Sequence, residues 1–277
     1  MSPRLTVLTV ALLAPAALAN LRAPQVIPAS PSSALGGGAP GVRVLGEALR
    51  FDCGAPEAHE CTVEARYRVE AAAAVELALD FVLPVDQPVS ATVAAGDQAK
   101  PQAVQVERTR WLSYDEAEAE RRKGTPPSRL HIAGRSDQPP LYQARFTASL
   151  AAGAGTITVR YRQPLEQRER GHGYGRKGRF VDGFQYELWP ITGWELAPDF
   201  RLVTTITQRR APPNWWKRTF GKVRSAACAG RGGATDGGAK LPGTTAQGDG
   251  ELVYTLTLDR RLPDVLECGL GDADLVP

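Results

Sequence analysis

Apolar and polar residues alternate along much of this 277-residue chain. In "CTVEARYRVE" Cys61, Val63, Ala65, Tyr67 and Val69 share one parity, and Thr62, Glu64, Arg66, Arg68 and Glu70 the other. That period of two belongs to a strand with one buried and one wet face. Val75, Leu77, Leu79, Phe81 and Leu83 repeat it and stop at Pro84, so the two stretches are expected to form an antiparallel pair across the alanines at 71–74. Val89, Ala91 and Val93 continue the pattern, as do Val104 and Val106. Tyr142, Ala144, Phe146, Ala148 and Leu150 precede Ile157, Val159 and Tyr161, with "AAGAG" between them as the turn of a second hairpin. Further strands are predicted around Phe184, Tyr186 and Leu188, around Phe200, Leu202, Thr204 and Ile206, and around Leu252, Tyr254 and Leu256.

One helix interrupts the strands. In "SYDEAEAERRK" Ser113 stands three residues before Glu116, a capping-box spacing, and the acidic start and basic end suit the helix dipole. Little beyond Tyr114 and Ala117 is apolar, which places it on the surface. Short strands in series with turn signals predict a mainly β fold, one or two antiparallel β-sandwiches with one short surface helix. Trp189 and Trp194 are expected in the core, and Trp111 is expected to tie the helix to a sheet.

The ends of the chain change the picture. Arg4, the apolar run at 5–13 and Ala17-Leu18-Ala19 fit a secretory signal over residues 1–19. The run is too short to cross a membrane as a helix, and no later stretch is long and uncharged enough to do so. Residues 20–41 are dense in Pro, Ala, Ser and Gly and are expected to form a flexible leader. The remainder divides into an N-terminal β-sandwich at 42–165, a basic glycine-rich connection at 166–179 and a C-terminal β domain at 180–277. The chain is thus expected to be exported, to the periplasm or the extracellular space. Cys53, Cys61, Cys228 and Cys268 fit two disulfides in such a compartment. Four cysteines allow three pairings, and the local one, Cys53–Cys61 with Cys228–Cys268, is preferred. No C-x-x-C pair supports a zinc site.

The net charge of +3 is unevenly spread. Residues 164–224 hold twelve Lys/Arg against six Asp/Glu, and the rest of the chain is net negative. Within this segment "NWWKRTFGKVR" sets Trp215 and Trp216 beside Lys217, Arg218, Lys222 and Arg224. Aromatic faces next to cations suit sugars, headgroups or phosphates, although one tryptophan can equally plug the end of a sandwich. Arg176 and Lys177 lie in "GHGYGRKGRF", where Gly173, Gly175 and Gly178 have the spacing G-x-G-x-x-G. A dinucleotide fingerprint needs a helix after the glycines, and "RFVDGFQYELW" reads as a strand, so no cofactor is expected there.

Catalytic motifs are absent. There is no G-x-S-x-G elbow, and His59-Glu60 opens like H-E-x-x-H but Val63 stands in place of the second histidine. His131 and His172 belong to no motif. Asp80 is the one strand carboxylate weighed as half of a catalytic pair, against a solvated role. Nothing resembles a nucleic-acid-binding motif.

The succession "YRV…LDFVLPVD", "WLSYDEAEAERRKG" and "LYQARFTASLAAGAGTITVRYRQPL" resembles the vault and inter-alpha-inhibitor (VIT) type of β domain over residues 42–165. The matching places are Leu83-Pro84 at a strand end, Tyr114 and Ala117 in the helix, and Val159 to Tyr161 in a paired strand. "FQYELWPITGW" is similar to a segment of secreted bacterial β proteins that carry no known activity. The VIT resemblance implies binding or assembly rather than catalysis. The expected role is therefore an exported, non-catalytic binding or assembly module for a protein partner or an anionic envelope surface. Trp215, Trp216, Lys217, Arg218, Lys222, Arg224, Arg176 and Lys177 are its candidate contacts, and a secreted hydrolase with a carboxylate-based site is the alternative.

Overall fold

The computed structural model describes residues 26–27, 32–83, 89–95, 98–102, 104–109, 111–126, 129–132, 141–172, 178–209, 223–233, 235–248 and 250–277. The fold is mainly β and sandwich-like. Among the described residues it contains an eight-stranded, a seven-stranded and a three-stranded sheet.

The eight-stranded sheet runs in the order β16 (Gly243–Gly248), β17 (Glu251–Leu258), β13 (Glu195–Arg209), β3 (Val42–Cys53), β4 (Glu60–Ala71), β10 (Gly153–Pro164), β6 (Ser90–Ala95) and β7 (Gln98–Gln102). The alternation read in β4 is real: Cys61, Val63, Ala65, Tyr67 and Val69 are buried, and their neighbours face outward. Phe51, Val63 and Tyr161 are cross-strand partners and so share that buried face. Phe51 stacks on Phe184 of the seven-stranded sheet at 4.1 Å, and Tyr161 meets Phe81 of the three-stranded sheet at 5.9 Å. Both smaller sheets therefore pack on one face of the large one, and a single buried cluster runs through all three.

The seven-stranded sheet comprises β1 (Val26–Ile27), β11 (Glu166–His172), β12 (Gly178–Glu187), β18 (Val265–Asp272), β14 (Arg224–Gly232) and β15 (Thr235–Lys240), with β2 (Ser32–Ser33) alongside β12. The three-stranded sheet has the order β5 (Val75–Leu83), β9 (Leu141–Leu150), β8 (Gln105–Thr109). Most pairs are antiparallel, but β3–β13 and β2–β12 are parallel. Because β13 lies between β3 and β17, the parts at 42–165 and 180–277 share one sheet and one core. The basic connection at 166–179 is also partly strand. β11 and β12 pair across it as a hairpin, and residues 173–177 at its tip, with Arg176 and Lys177, lie outside the described residues.

Both expected hairpins are corners between sheets instead. β4 pairs with β3 and β10, whereas β5 pairs with β9. The chain crosses from one sheet to the other after Ala71, and again between β9 and β10. The crossings stand side by side, since Ala71 faces Gly153 in one sheet and Val75 faces Leu150 in the other. Alternation fixes which face of a strand is buried, not which strand lies beside it. Both edges of β4 are already taken by strands as long as itself, one of them tied through Cys53–Cys61.

The helix α1 (Tyr114–Arg122) starts at Ser113 with both capping-box bonds made, buries Ala117 and leaves Tyr114 exposed. Trp194 is buried in the core. Trp189 is not: it opens a short 3-10 turn (Trp189–Gly193) after β12 and is half-buried at the surface.

The described end of the leader is a docked strap rather than a tether. Ser32, Ser33, Ala34 and Leu35 are buried. The Ala34 N–H donates to the Glu187 carbonyl at 2.6 Å and the Leu35 N–H to the Tyr67 hydroxyl at 3.0 Å, while Trp194 Nε1 donates to the Leu35 carbonyl at 3.0 Å. Gly36 bridges Asp80, and Gly37, at φ 116°, lies so close to β5 that a Cβ would stand 2.6 Å from the Ala78 carbonyl. Small residues here serve close backbone approach, not flexibility. Leu35→Ala is expected to lower the unfolding free energy by at least about 2 kcal/mol. A denaturant midpoint unchanged by this substitution would mean the strap is undocked in solution.

Candidate functional site

Of the predicted contact residues, Trp215, Trp216, Lys217, Arg218, Lys222, Arg176 and Lys177 lie outside the described residues. Arg224 opens β14 with its guanidinium 3.9 Å from Asp182. Two other cations of the basic segment are paired. Arg168 bonds Glu166 at 2.8 Å and Glu267 at 2.7 Å, and Arg179 bonds Asp272 and Asp274 at 2.6 Å each. Glu267, Asp272 and Asp274 come from the chain's last strand and its end, beyond the segment itself. The positive surplus read from the sequence is thus partly balanced in space.

The concave site lies elsewhere, at the seam where the strap joins the seven- and three-stranded sheets. A cavity of about 490 Å³ opens there. The strap gives it Ser33, Ala34, Gly36 and Gly37, the outer face of the three-stranded sheet gives Asp80, Val82, Thr109 and Gln143, and the 3-10 turn gives Trp189, Pro190 and Gly193. Arg129 and His131 come from the stretch between α1 and β9.

Glu187, at the end of β12, anchors one wall. Its carboxylate is buried, with Oε1 2.5 Å from His131 Nε2 and Oε2 accepting from Trp189 Nε1 at 3.2 Å. A carboxylate only accepts, so His131 donates from Nε2. The imidazole is also met edge-on by Trp111 at 6.0 Å, and Leu112 N–H donates to the His131 carbonyl at 2.6 Å. Trp111 therefore does connect the helix region to the rest, through His131. Beside it, Arg129 donates from Nε and Nη2 to buried Asp264 at 3.3 and 3.1 Å, and its guanidinium lies 5.7 Å over the Trp189 ring. The Asp264 carbonyl in turn accepts the backbone N–H groups of Leu188 and Trp189.

Asp80 stands on the opposite side. Its Oδ2 accepts from Gln143 Nε2 at 2.5 Å, and a Cβ on Gly36 would overlap its Oδ1. The Ser33 hydroxyl accepts the Val82 N–H at 2.5 Å, which fixes the strap along β5. Sequence reasoning considered Asp80 singly and left Arg129, His131, Gln143, Glu187 and Asp264 unassigned. Arg129 and His131 lie between α1 and β9, and loops held by a rigid scaffold are where binding groups concentrate.

Behind the strap lies a second polar group, closed to solvent. Tyr186 donates to Glu47 Oε1 at 3.2 Å, and the Tyr67 and Tyr186 hydroxyls are 3.1 Å apart. With Tyr186 spending its proton on Glu47, Tyr67 donates to Tyr186 and receives the Leu35 N–H. Burial pushes the Glu47 carboxyl up to about 7, against the opposing pull of the neighbouring Tyr67 and Tyr186 hydroxyls. Burial likewise raises both tyrosines well above their usual value.

The chain matches no protein-family model and no curated protein. A candidate nutrient binding protein of Legionella pneumophila superposes on it with a TM-score of 0.52 at 10% identity, over 89% of this chain and 72% of that one. That likeness is one of fold. An M1 zinc metallopeptidase of Deinococcus radiodurans aligns at 15% identity with a TM-score of 0.33, over 83% of this chain and 42% of its own.

Proposed function

We propose that this chain is an exported binding protein that holds a small polar molecule in the seam cavity. The observation that carries the reading is the cavity itself, in which a rigid set of polar side chains is fixed from behind by buried partners. Its size falls in the range of small-molecule sites, roughly 300–1,000 Å³. The signal-like residues 1–19 and the two disulfides support export, and no helix among the described residues is long and apolar enough to cross a membrane. The description of the Legionella protein agrees with a binding role, as does the VIT-type resemblance.

Two other roles find less support. A cationic docking face would rest on Trp215, Trp216 and their neighbours, which lie outside the described residues, and on Arg224, whose guanidinium stands 3.9 Å from Asp182. For a carboxylate-based hydrolase, the acidic groups at the cavity would have to be free to act on substrate. Glu187 is engaged by His131 and Trp189 and Asp264 by Arg129, so that among the described residues Asp80, held by Gln143, is the one carboxylate lining the cavity, where a carboxylate pair needs two. Such groups hold one another in place, as in a site that keeps its ligand unchanged.

Val82→Trp, which fills the cavity from the outward face of β5, is the direct test. Ligands that raise the melting temperature of the native protein are expected to lose that effect in the variant, and mass spectrometry should recover them chemically unaltered. Conversion to a product, or binding that survives the substitution, would reject the reading.

A further inference from the structure

On the reading of the seam cavity as a ligand site, we propose that its ligand is a neutral saccharide, held through its hydroxyl groups. Side chains at the cavity retain hydrogen-bonding capacity that the described residues do not use. Arg129 commits Nε and Nη2 to Asp264, which leaves Nη1 with both of its N–H groups. His131 donates from Nε2 to Glu187, which leaves Nδ1 for a ligand hydroxyl, a group able both to donate and to accept. Asp80 receives one side-chain N–H, from Gln143, on a carboxylate with room for about four. Donors and acceptors thus stand together at one opening.

Charge separates the ligand classes. An anion would meet Asp80, with the carboxylates of Glu187 and Asp264 behind the wall. It would also find the Nε and Nη2 edge of Arg129, the fork that grips a carboxylate or phosphate in two places, already taken by Asp264. A cation would meet the Arg129 guanidinium, which also lies over the Trp189 ring and so occupies the aromatic face that an ammonium would seek. Because Asp264 balances Arg129, what Nη1 offers is directed N–H groups rather than an unopposed charge. A hydroxyl donates and accepts at once. A ring bearing several hydroxyls serves Asp80, Nδ1 of His131 and Nη1 of Arg129 together, and lays its C–H faces on Val82 and Pro190.

The test is calorimetric titration of the full mature chain with glucose, galactose, mannose, maltose and cellobiose, and separately with glutamine, spermidine and glucose 6-phosphate. At least one of the saccharides is expected to bind with a Kd of about 1 mM or tighter. Asp80→Asn and Gln143→Ala should each weaken it at least about tenfold, with melting temperature and far-UV circular dichroism preserved. Should Asp80→Asn misfold, Gln143→Ala and Thr109→Val serve in its place. Failure of every saccharide overturns the proposal. Binding of glutamine, spermidine or glucose 6-phosphate instead, abolished by Val82→Trp, overturns the ligand class but leaves the cavity as the site. Saccharide binding untouched by Asp80→Asn, Gln143→Ala and Val82→Trp overturns both.

Discussion

Between pH 4.5 and about 7 the unfolding free energy of the native protein is expected to fall by about 3 kcal/mol relative to a Glu47→Gln variant. The Glu47 carboxyl titrates near 4.5 in the unfolded chain and near 7 when buried among Tyr67 and Tyr186. In that window the folded state holds a proton that the unfolded state has released. Rising pH therefore favours unfolding, and the loss is complete above the folded value. Glutamine keeps the oxygen that accepts from Tyr186 and has nothing to titrate, so the difference between the two proteins isolates this group. Guanidinium melts of both at intervals across the window provide the measurement. A difference that stays constant with pH would show that Glu47 titrates as an ordinary surface carboxyl.

Removing the Cys228–Cys268 bridge by a double substitution to alanine is expected to cost about 4 kcal/mol, against about 2.5 kcal/mol for Cys53–Cys61. The ranking follows from the loops closed, with sequence separations of 40 and 8. Each bridge joins directly opposed residues of neighbouring strands, β14 with β18 and β3 with β4. The longer loop holds the glycine-rich run at 229–250, which has little apolar side-chain content of its own to anchor it. Without the bridge, β15 and β16 are held by backbone pairing, by Leu241 and by the bonds of Thr245 and Gln247 to the backbone of β14. Thermal and denaturant unfolding of the two double variants checks the order. An equal or smaller loss for the Cys228–Cys268 pair would mean that native strain or residual structure in the unfolded chain outweighs loop closure.

How far the sequence carried can be judged from β3 and from the seam. The faces of β4 and the cap of α1 were legible because each depends on neighbours in sequence or on strict parity. In β3 the parity changes: Val42 and Val44 point inward, and so do Leu49, Phe51 and Cys53. A bulge between Val44 and Gly46 absorbs one residue, so that Val69 and Arg68 of β4 face Val44 and Gly46. That single extra residue turns Glu47 into the core. The shift is visible in "VRVLGEALRFDC" once both runs are read together, but strict alternation from either end leaves the carboxylate's side undecided. The corners at Ala71 and Gly153 were illegible for a different reason, since a strand that stacks across a sandwich and one that pairs beside it carry the same pattern. The cavity was least legible of all. Gly36, Asp80, Thr109, Arg129, His131, Gln143 and Trp189 share no spacing, and only the sheet order brings them together.

The docked strap also sets an order of events. Leu35 leaves the ribosome before nearly all of its partners, and the indole that bonds its carbonyl follows 159 residues later. Contacts so distant in sequence must wait for much of the chain and slow the search for the native state. The strap's seat is complete only once β5, β12 and the 3-10 turn are in place to receive it. A chain that has not finished folding has no closed seam.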